Sequence, residues 1–196
     1  MNKTLLSAAL IAGFGVAALA PQAANAASGG TITFSGSITT STCAVTVGGT
    51  NTSPTGNATA TVTLPNVVAA NTTLTTAGSS AGWTQFTLNL TGCPASLSGY
   101  TNVYPYFTGS GIDTGTGYLT NTGTASSNVE IALSNTAATG STALTLGGAS
   151  GAQNAGTLAI SSTASAFTYW AGYVATAVPV LPGPVTATVQ YNLNYQ

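Results

Sequence analysis

Through most of this chain, apolar residues fall on alternate positions. Residues 27–38 read ASGGTITFSGSI, with Gly30, Ile32, Phe34, Gly36 and Ile38 on one side and mostly Thr and Ser on the other. Successive side chains of an extended backbone point to opposite faces, so this segment is a strand with one apolar and one hydroxyl edge. The apolar phase moves from even to odd positions near Ser41 and Thr42, and Cys43, Val45 and Val47 form the next edge. That change separates the opening segment from the cysteine-bearing strand. A turn-rich loop at 48–57 precedes a cleanly alternating strand at 58–64, which Pro65-Asn66 stops; 67–81 reads mostly as loop. Further strands are predicted around Phe86, Leu88 and Leu90, at 102–108, around Val129, Ile131 and Leu133, at 142–146 and at 167–174. Pro105 points to an edge or a bulge. The last predicted strand, 185–195, places Val185, Ala187, Val189, Tyr191, Leu193 and Tyr195 on one face.

No stretch holds a helical period. Roughly seven strands separated by turns argue for an all-β immunoglobulin-like sandwich. A β-helix or a curli-like amyloid would suit the Thr-, Asn- and Gly-rich composition, but both require a short sequence repeat and none is found.

Charge changes the picture. Lys3, Asp113 and Glu130 are the only charged side chains among 196 residues, and there is no His. A typical globular chain is about 25% charged, so solubility here rests on hydroxyls, amides and backbone. The length suits one domain with a real core. The apolar run at 5–20 lies behind Asn2-Lys3 and ahead of Pro21 and Ala24-Asn25-Ala26. A basic start, a short apolar stretch and a small-x-small site make a secretory leader, too short for a comfortable membrane span. Cleavage is placed after Ala26, with Ala23 and Ala27 as neighbouring alternatives. The chain then divides into a leader (1–26), an N-terminal extension (27–37) and a domain (38–196). The mature part has no Lys or Arg, which excludes nucleic-acid binding through phosphate contacts.

Export makes Cys43 and Cys93 a candidate disulfide. It would close a loop of about 50 residues and contribute about 4 kcal/mol by the chain-entropy argument; the alternative is two free buried thiols. The two acids are 17 positions apart, with no base to tune or orient them. Asp113 in GSGIDTG reads as a turn residue satisfying local N–H groups, and Glu130 as a solvent-facing strand residue. No general base activates a hydroxyl, no zinc ligand set is available, and the Gly-rich pieces neither open a helix nor precede a P-loop Lys. The reading is of a protein without catalytic residues, metal or cofactor. Tyr100, Tyr104, Tyr106 and Phe107 read as core or interface rather than as a sugar platform.

A series of segments in order carries a resemblance: GTITFSGSITTSTCAV, VTLPNV, FTLNLTGC, YFTGSGIDTG, SNVEIALSN with LTLGGA, FTYWAGYVAT and the tail ATVQYNLNYQ. Together they resemble the major structural pilins of bacterial chaperone–usher fimbriae, the type 1 fimbrial family in particular, over nearly all of the mature chain. The resemblance implies a sandwich lacking its last strand, so that a hydrophobic groove lies open. It implies donor-strand exchange, with Ser28, Gly30, Ile32, Phe34 and Gly36 entering the groove of a neighbouring identical subunit in a head-to-tail filament. Gly30 takes the place of the Gly that the family keeps against a shallow part of that groove. Tyr195 and the Gln196 carboxylate match the tail gripped by a periplasmic pilus chaperone, before an outer-membrane usher exchanges strands. The implied route runs through the periplasm to a fimbria on the cell surface, with a role in adhesion and biofilm formation and no membrane-embedded part. A minor or adaptor pilin is the alternative within the fold. A carbohydrate-binding tip adhesin is the other, although the donor-like strand starts where such an adhesin would carry a receptor domain. Familiar relatives carry more Lys, Asp and Glu, so this fibre surface is expected to be neutral and rich in hydroxyls.

The absence of basic residues gives a direct expectation. Denatured, reduced mature protein incubated with trypsin should keep its intact mass, and any tryptic cut would contradict this reading.

Overall fold

The computed structural model describes residues 42–55, 58–68, 74–95, 97, 99–124, 128–136 and 143–196. The leader and the extension, with Ser28, Gly30, Ile32, Phe34 and Gly36, lie outside them. Among the described residues the elements are all strands. In chain order they are β1 (Ala44–Gly48), β2 (Thr52–Pro54), β3 (Ala60–Val62), β4 (Ser80–Thr91), β5 (Asn102–Thr108) and β6 (Ile112–Asp113). Then come β7 (Tyr118–Leu119), β8 (Val129–Ser134), β9 (Leu158–Ala159), β10 (Ser165–Ala175) and β11 (Gln190–Tyr195). One sheet has the order β1-β4-β10-β8-β7-β6, a second β11-β5-β9, and β2 and β3 form a small ladder of their own.

The long central strands follow the alternation in the sequence. In β4, Phe86, Leu88 and Leu90 are buried while Gln85 and Thr91 are exposed. β10 pairs with β4 and β8 on its two sides and slips register between Ala171 and Tyr173. At that bulge the Trp83 ring lies so close over Gly172 that a Cβ there would sit 2.4 Å from it, so only glycine fits. The sheets meet around Tyr169, which is fully buried. Its ring centroid lies 5.6 Å from Phe86 on its own sheet and 5.4 Å from Phe107 of β5, the latter edge-to-face. The Tyr169 hydroxyl donates to the Ala155 carbonyl, so the polar end of a core aromatic is satisfied. Burial drives its pKa far above the ordinary tyrosine value.

Cys43 and Cys93 are bonded and close the 50-residue span between the start of β1 and the end of β4. Ala44 lies opposite Thr91, so the bridge continues a ladder that already brings the two ends together.

β5 explains its proline. Asn102 and Gln196 exchange backbone hydrogen bonds, which turns the even residues of β5 toward the C-terminal strand and the odd ones away. Pro105 therefore places its missing N–H on the far side, where β9 reaches only Asn102 and Val103. At Phe107 on that same side, the buried Gln153 amide completes the pairing. Its Oε1 accepts from the Phe107 N–H at 2.9 Å and its Nε2 donates to the Phe107 carbonyl at 2.7 Å. One side chain thus does what an adjoining strand would do.

Several predicted strands turn out shorter, and one longer. The loop at 48–57 contains β2, and the segment at 58–64 forms a ladder only over β3. At 143–146 there is a single bridge from Ala143 to Ser134, and Leu144 N–H donates to Leu133. β4 begins six residues before Phe86, at Ser80. Alternation records which way side chains face; a ladder also needs a partner backbone, which the pattern does not record. Replacing Gln153 with Leu leaves two buried Phe107 backbone groups unpaired and should lower stability by about 2–4 kcal/mol in urea unfolding; an unchanged midpoint would rule out this role.

Candidate functional site

A groove of about 1510 Å³ runs between two walls. One wall is the segment 58–66, whose Ala60, Val62 and Leu64 pack on the core while staying half-buried. The other is 185–195, whose six alternating apolar residues predicted to share a face do so. Phe86, Leu88, Phe107, Ile131 and Leu133 form the floor. None of the six side chains from Val185 to Tyr195 is fully buried, in contrast to those at matching positions of β4. The face is built like a core face but stays half-buried among the described residues.

The backbone shows the same incompleteness. Even residues of β11 turn toward β5, so the N–H and C=O groups of Tyr191, Leu193 and Tyr195 point into the groove. They have no backbone partner among the described residues. Upstream, the outer edge is held by a loop: Thr186 N–H donates to Asn121 Oδ1 at 3.0 Å, and Thr122 N–H donates to the Thr186 carbonyl at 2.7 Å. The whole length of 185–195 is therefore fixed on one side and open on the other. An unpaired edge above an apolar trough is the geometry that takes up an extended peptide by strand addition.

Two tyrosine hydroxyls cross the groove. Tyr191 donates to the Ala58 carbonyl at 3.0 Å, and Tyr195 accepts from the Cys43 N–H at 3.2 Å. Burial raises the pKa of Tyr191 from the ordinary value. Tyr195 ties the C-terminal strand to the disulfide end of β1, while the backbone of Gln196 is held by Thr101 and Asn102. Leu181, 47% exposed, adds an apolar lip to the lining. Alternation alone did not disclose the crossings. Two tyrosines four apart on an otherwise aliphatic face were the signal available.

Of the two acids, one stands as the sequence suggests and one does not. Asp113 accepts the Gly115 N–H at 2.7 Å, the turn role expected of it. Glu130 is a correction: it is 8% exposed, not solvent-facing, and its Oε2 accepts the Thr116 hydroxyl at 2.8 Å. Leu119 pairs with Ile131, which draws the hairpin of β6 and β7, with Thr116 in its turn, toward Glu130. Burial raises the Glu130 pKa, the Thr116 hydrogen bond lowers it, and the neighbouring Asp113 carboxylate raises it further. Among the described residues no three His, Cys, Asp or Glu side chains gather as a metal site, and no described helix is long and apolar enough to cross a membrane.

Sandwich, disulfide and groove together make an all-β immunoglobulin-like domain with one open strand edge among the described residues. Residues 64–196 match the family model FimA, type-1 fimbrial protein A. The chain is 40% identical over 186 residues to the F17 fimbrial protein of Escherichia coli, spanning 93% of this chain and 96% of that protein. It is also 40% identical over 187 residues to the major fimbrial subunit SMF-1 of Stenotrophomonas maltophilia strain K279a, spanning 91% and 98%. In fold it is similar to a subunit of a solved chaperone–usher pilus, described as revealing the basis of rod uncoiling, with TM-score 0.53 at 16% identity over 86% of this chain and 96% of that one. The chain belongs to the type-1 fimbrial protein A family, whose members are structural subunits and not enzymes.

Glu130 yields a pH prediction. Its folded pKa is raised, so its stabilising contribution is full below the unfolded pKa and is lost as pH rises through the folded value. Unfolding midpoints of the wild type should fall from pH 4 to pH 7, while Glu130→Gln should flatten that slope and be the more stable form at pH 7. Parallel profiles for the two proteins would contradict the assignment.

Proposed function

We propose that the groove accepts a β-strand from another copy of this chain, and that residues 27–37 are the strand each copy lends. The observation that carries this reading is the unpaired edge of β11 above a half-buried apolar face. The lengths agree. The open wall covers 11 residues, 185–195, and the alternating segment 27–38 covers 12, roughly 36 and 40 Å when extended. Ser28, Gly30, Ile32, Phe34 and Gly36 present the side chains that would fill the groove, and backbone pairing to Tyr191, Leu193 and Tyr195 would supply sequence-independent affinity. Donor and groove lie on different parts of one chain, so the contact is head-to-tail, and such a contact that does not close on itself makes a filament.

An empty groove is an aggregation hazard, which this chain has almost no charge to blunt. A periplasmic chaperone that lends a strand until the next subunit replaces it at an outer-membrane usher removes the hazard at each stage. Tyr195 and the Gln196 carboxylate, at the end of β11, are the handle for a basic cleft on that chaperone. The product is an adhesive fimbria on the cell surface, serving attachment and biofilm formation.

The test uses two variants that disable opposite ends. Ile32→Asp places a charge on the donor face and Leu193→Asp places one in the groove, each costing several kcal/mol if buried. Material sheared from wild-type cells should run as a detergent-resistant ladder that collapses to one band after heating in acid. Neither variant alone should give a ladder, whereas the two produced together should give a dimer and nothing longer, since one can only accept and the other can only donate. A wild-type sample that runs as monomer without heating would overturn the proposal.

A further inference from the structure

We infer that Tyr191 is a gate on the groove, closed by its hydrogen bond to the opposite wall. Its hydroxyl donates to the Ala58 carbonyl at 3.0 Å, and its ring packs against the floor residue Phe107 at 6.5 Å between centroids, inclined by 55°. Ala58, Tyr191 and Phe107 all line the groove. The side chain therefore runs from one wall, over the floor, to the other wall. Whatever reaches the floor at this height has to break that bond and swing the ring.

The second crossing differs in what it is tied to. Tyr195 bonds to Cys43, which is anchored by the disulfide to Cys93 at the end of β4. That end of the groove is fixed. Ala58 has no such anchor: it precedes β3, which among the described residues forms a ladder only with the three residues of β2. Of the two hydroxyl bridges, Tyr191 is thus the one whose partner wall can give way. The bond has two effects. It holds the walls together while the groove is empty, and it occupies a carbonyl of the wall that an incoming strand would otherwise meet free. A neutral hydrogen bond of this kind sets a barrier of modest size, low enough to be crossed by binding and high enough to slow it.

The inference rests on the proposed strand acceptance only for the identity of what enters, so the test uses two probes. Folded subunit is mixed in stopped flow with a fluorescent peptide of residues 27–38 and, separately, with the apolar dye 8-anilinonaphthalene-1-sulfonate. Tyr191→Phe keeps the ring and removes the bond; Tyr106→Phe, on β5 and outside the groove lining, is the control. Tyr191→Phe should take up both probes about 3–10-fold faster, with Tyr106→Phe at the wild-type rate. Equal rates for Tyr191→Phe and wild type with both probes would overturn the gate. Peptide bound equally fast by both proteins would also overturn it, while leaving strand acceptance in place. Faster dye uptake with no peptide binding to either protein would uphold the gate and overturn the strand reading instead.

Discussion

The structure depends on one unsatisfied requirement: a strand whose backbone edge faces an apolar trough and finds no partner among the described residues. Backbone N–H and C=O groups are strong donors and acceptors that proteins seldom leave unmatched in dry surroundings. In β11 every second residue meets β5 and the alternate ones meet open space among the described residues. The side chains show the same split, since residues 185–195 carry a core-type apolar face that never becomes fully buried. What completes the sheet also completes the core, so the two deficits are met by one occupant.

The rest of the domain keeps this trough open and in shape. Tyr169 packs both sheets against each other from the centre, with Phe86 and Phe107 on its two sides. Phe107 is also part of the groove floor, and its backbone is locked from behind by Gln153. The floor is thus made of side chains whose positions are set by the buried core. The 185–195 wall is held by β5 and the 121–122 loop, whereas the 58–66 wall is tied more lightly, through the short β2–β3 ladder. A firm floor and one firm wall beside a lightly tied one suit a site that must both keep its shape and admit an occupant.

Much of this was legible in the sequence, and the part that was not has a physical reason. Alternation at Phe86, Leu88 and Leu90 and at 185–195 correctly assigned inward faces, 167–174 was correctly placed as a strand, and export correctly joined Cys43 to Cys93. Side-chain direction is a local property with period two, so it can be read from neighbours in sequence. Pairing is not local. That is why β11 begins only at Gln190, why residues 58–64 became a groove wall with a three-residue ladder, and why the two-residue strands β6, β7 and β9 were missed. Glu130 was misjudged on the same ground. Its alternate position marks it as facing away from the core, but the β6–β7 hairpin comes from elsewhere in the chain to cover it. The crossings by Tyr191 and Tyr195 join residues 133 and 152 positions apart, so the two tyrosines on an aliphatic face could mark the crossings but not their partners.

Gln153 has one more consequence, best put in the language of polymer chemistry. The three-stranded sheet has two sides on which strands could be added, and the Gln153 amide, with the short β9, caps one of them at β5. Among the described residues, β11 then carries the long open edge of that sheet. With the segment 27–37 proposed as its complement, the subunit would be a bifunctional monomer with unlike ends. Such monomers grow as unbranched chains, and side reactions between growing chains are excluded as long as the capped edge stays capped. Under the proposed strand exchange, a buried amide far from the joint would set the valence of the subunit.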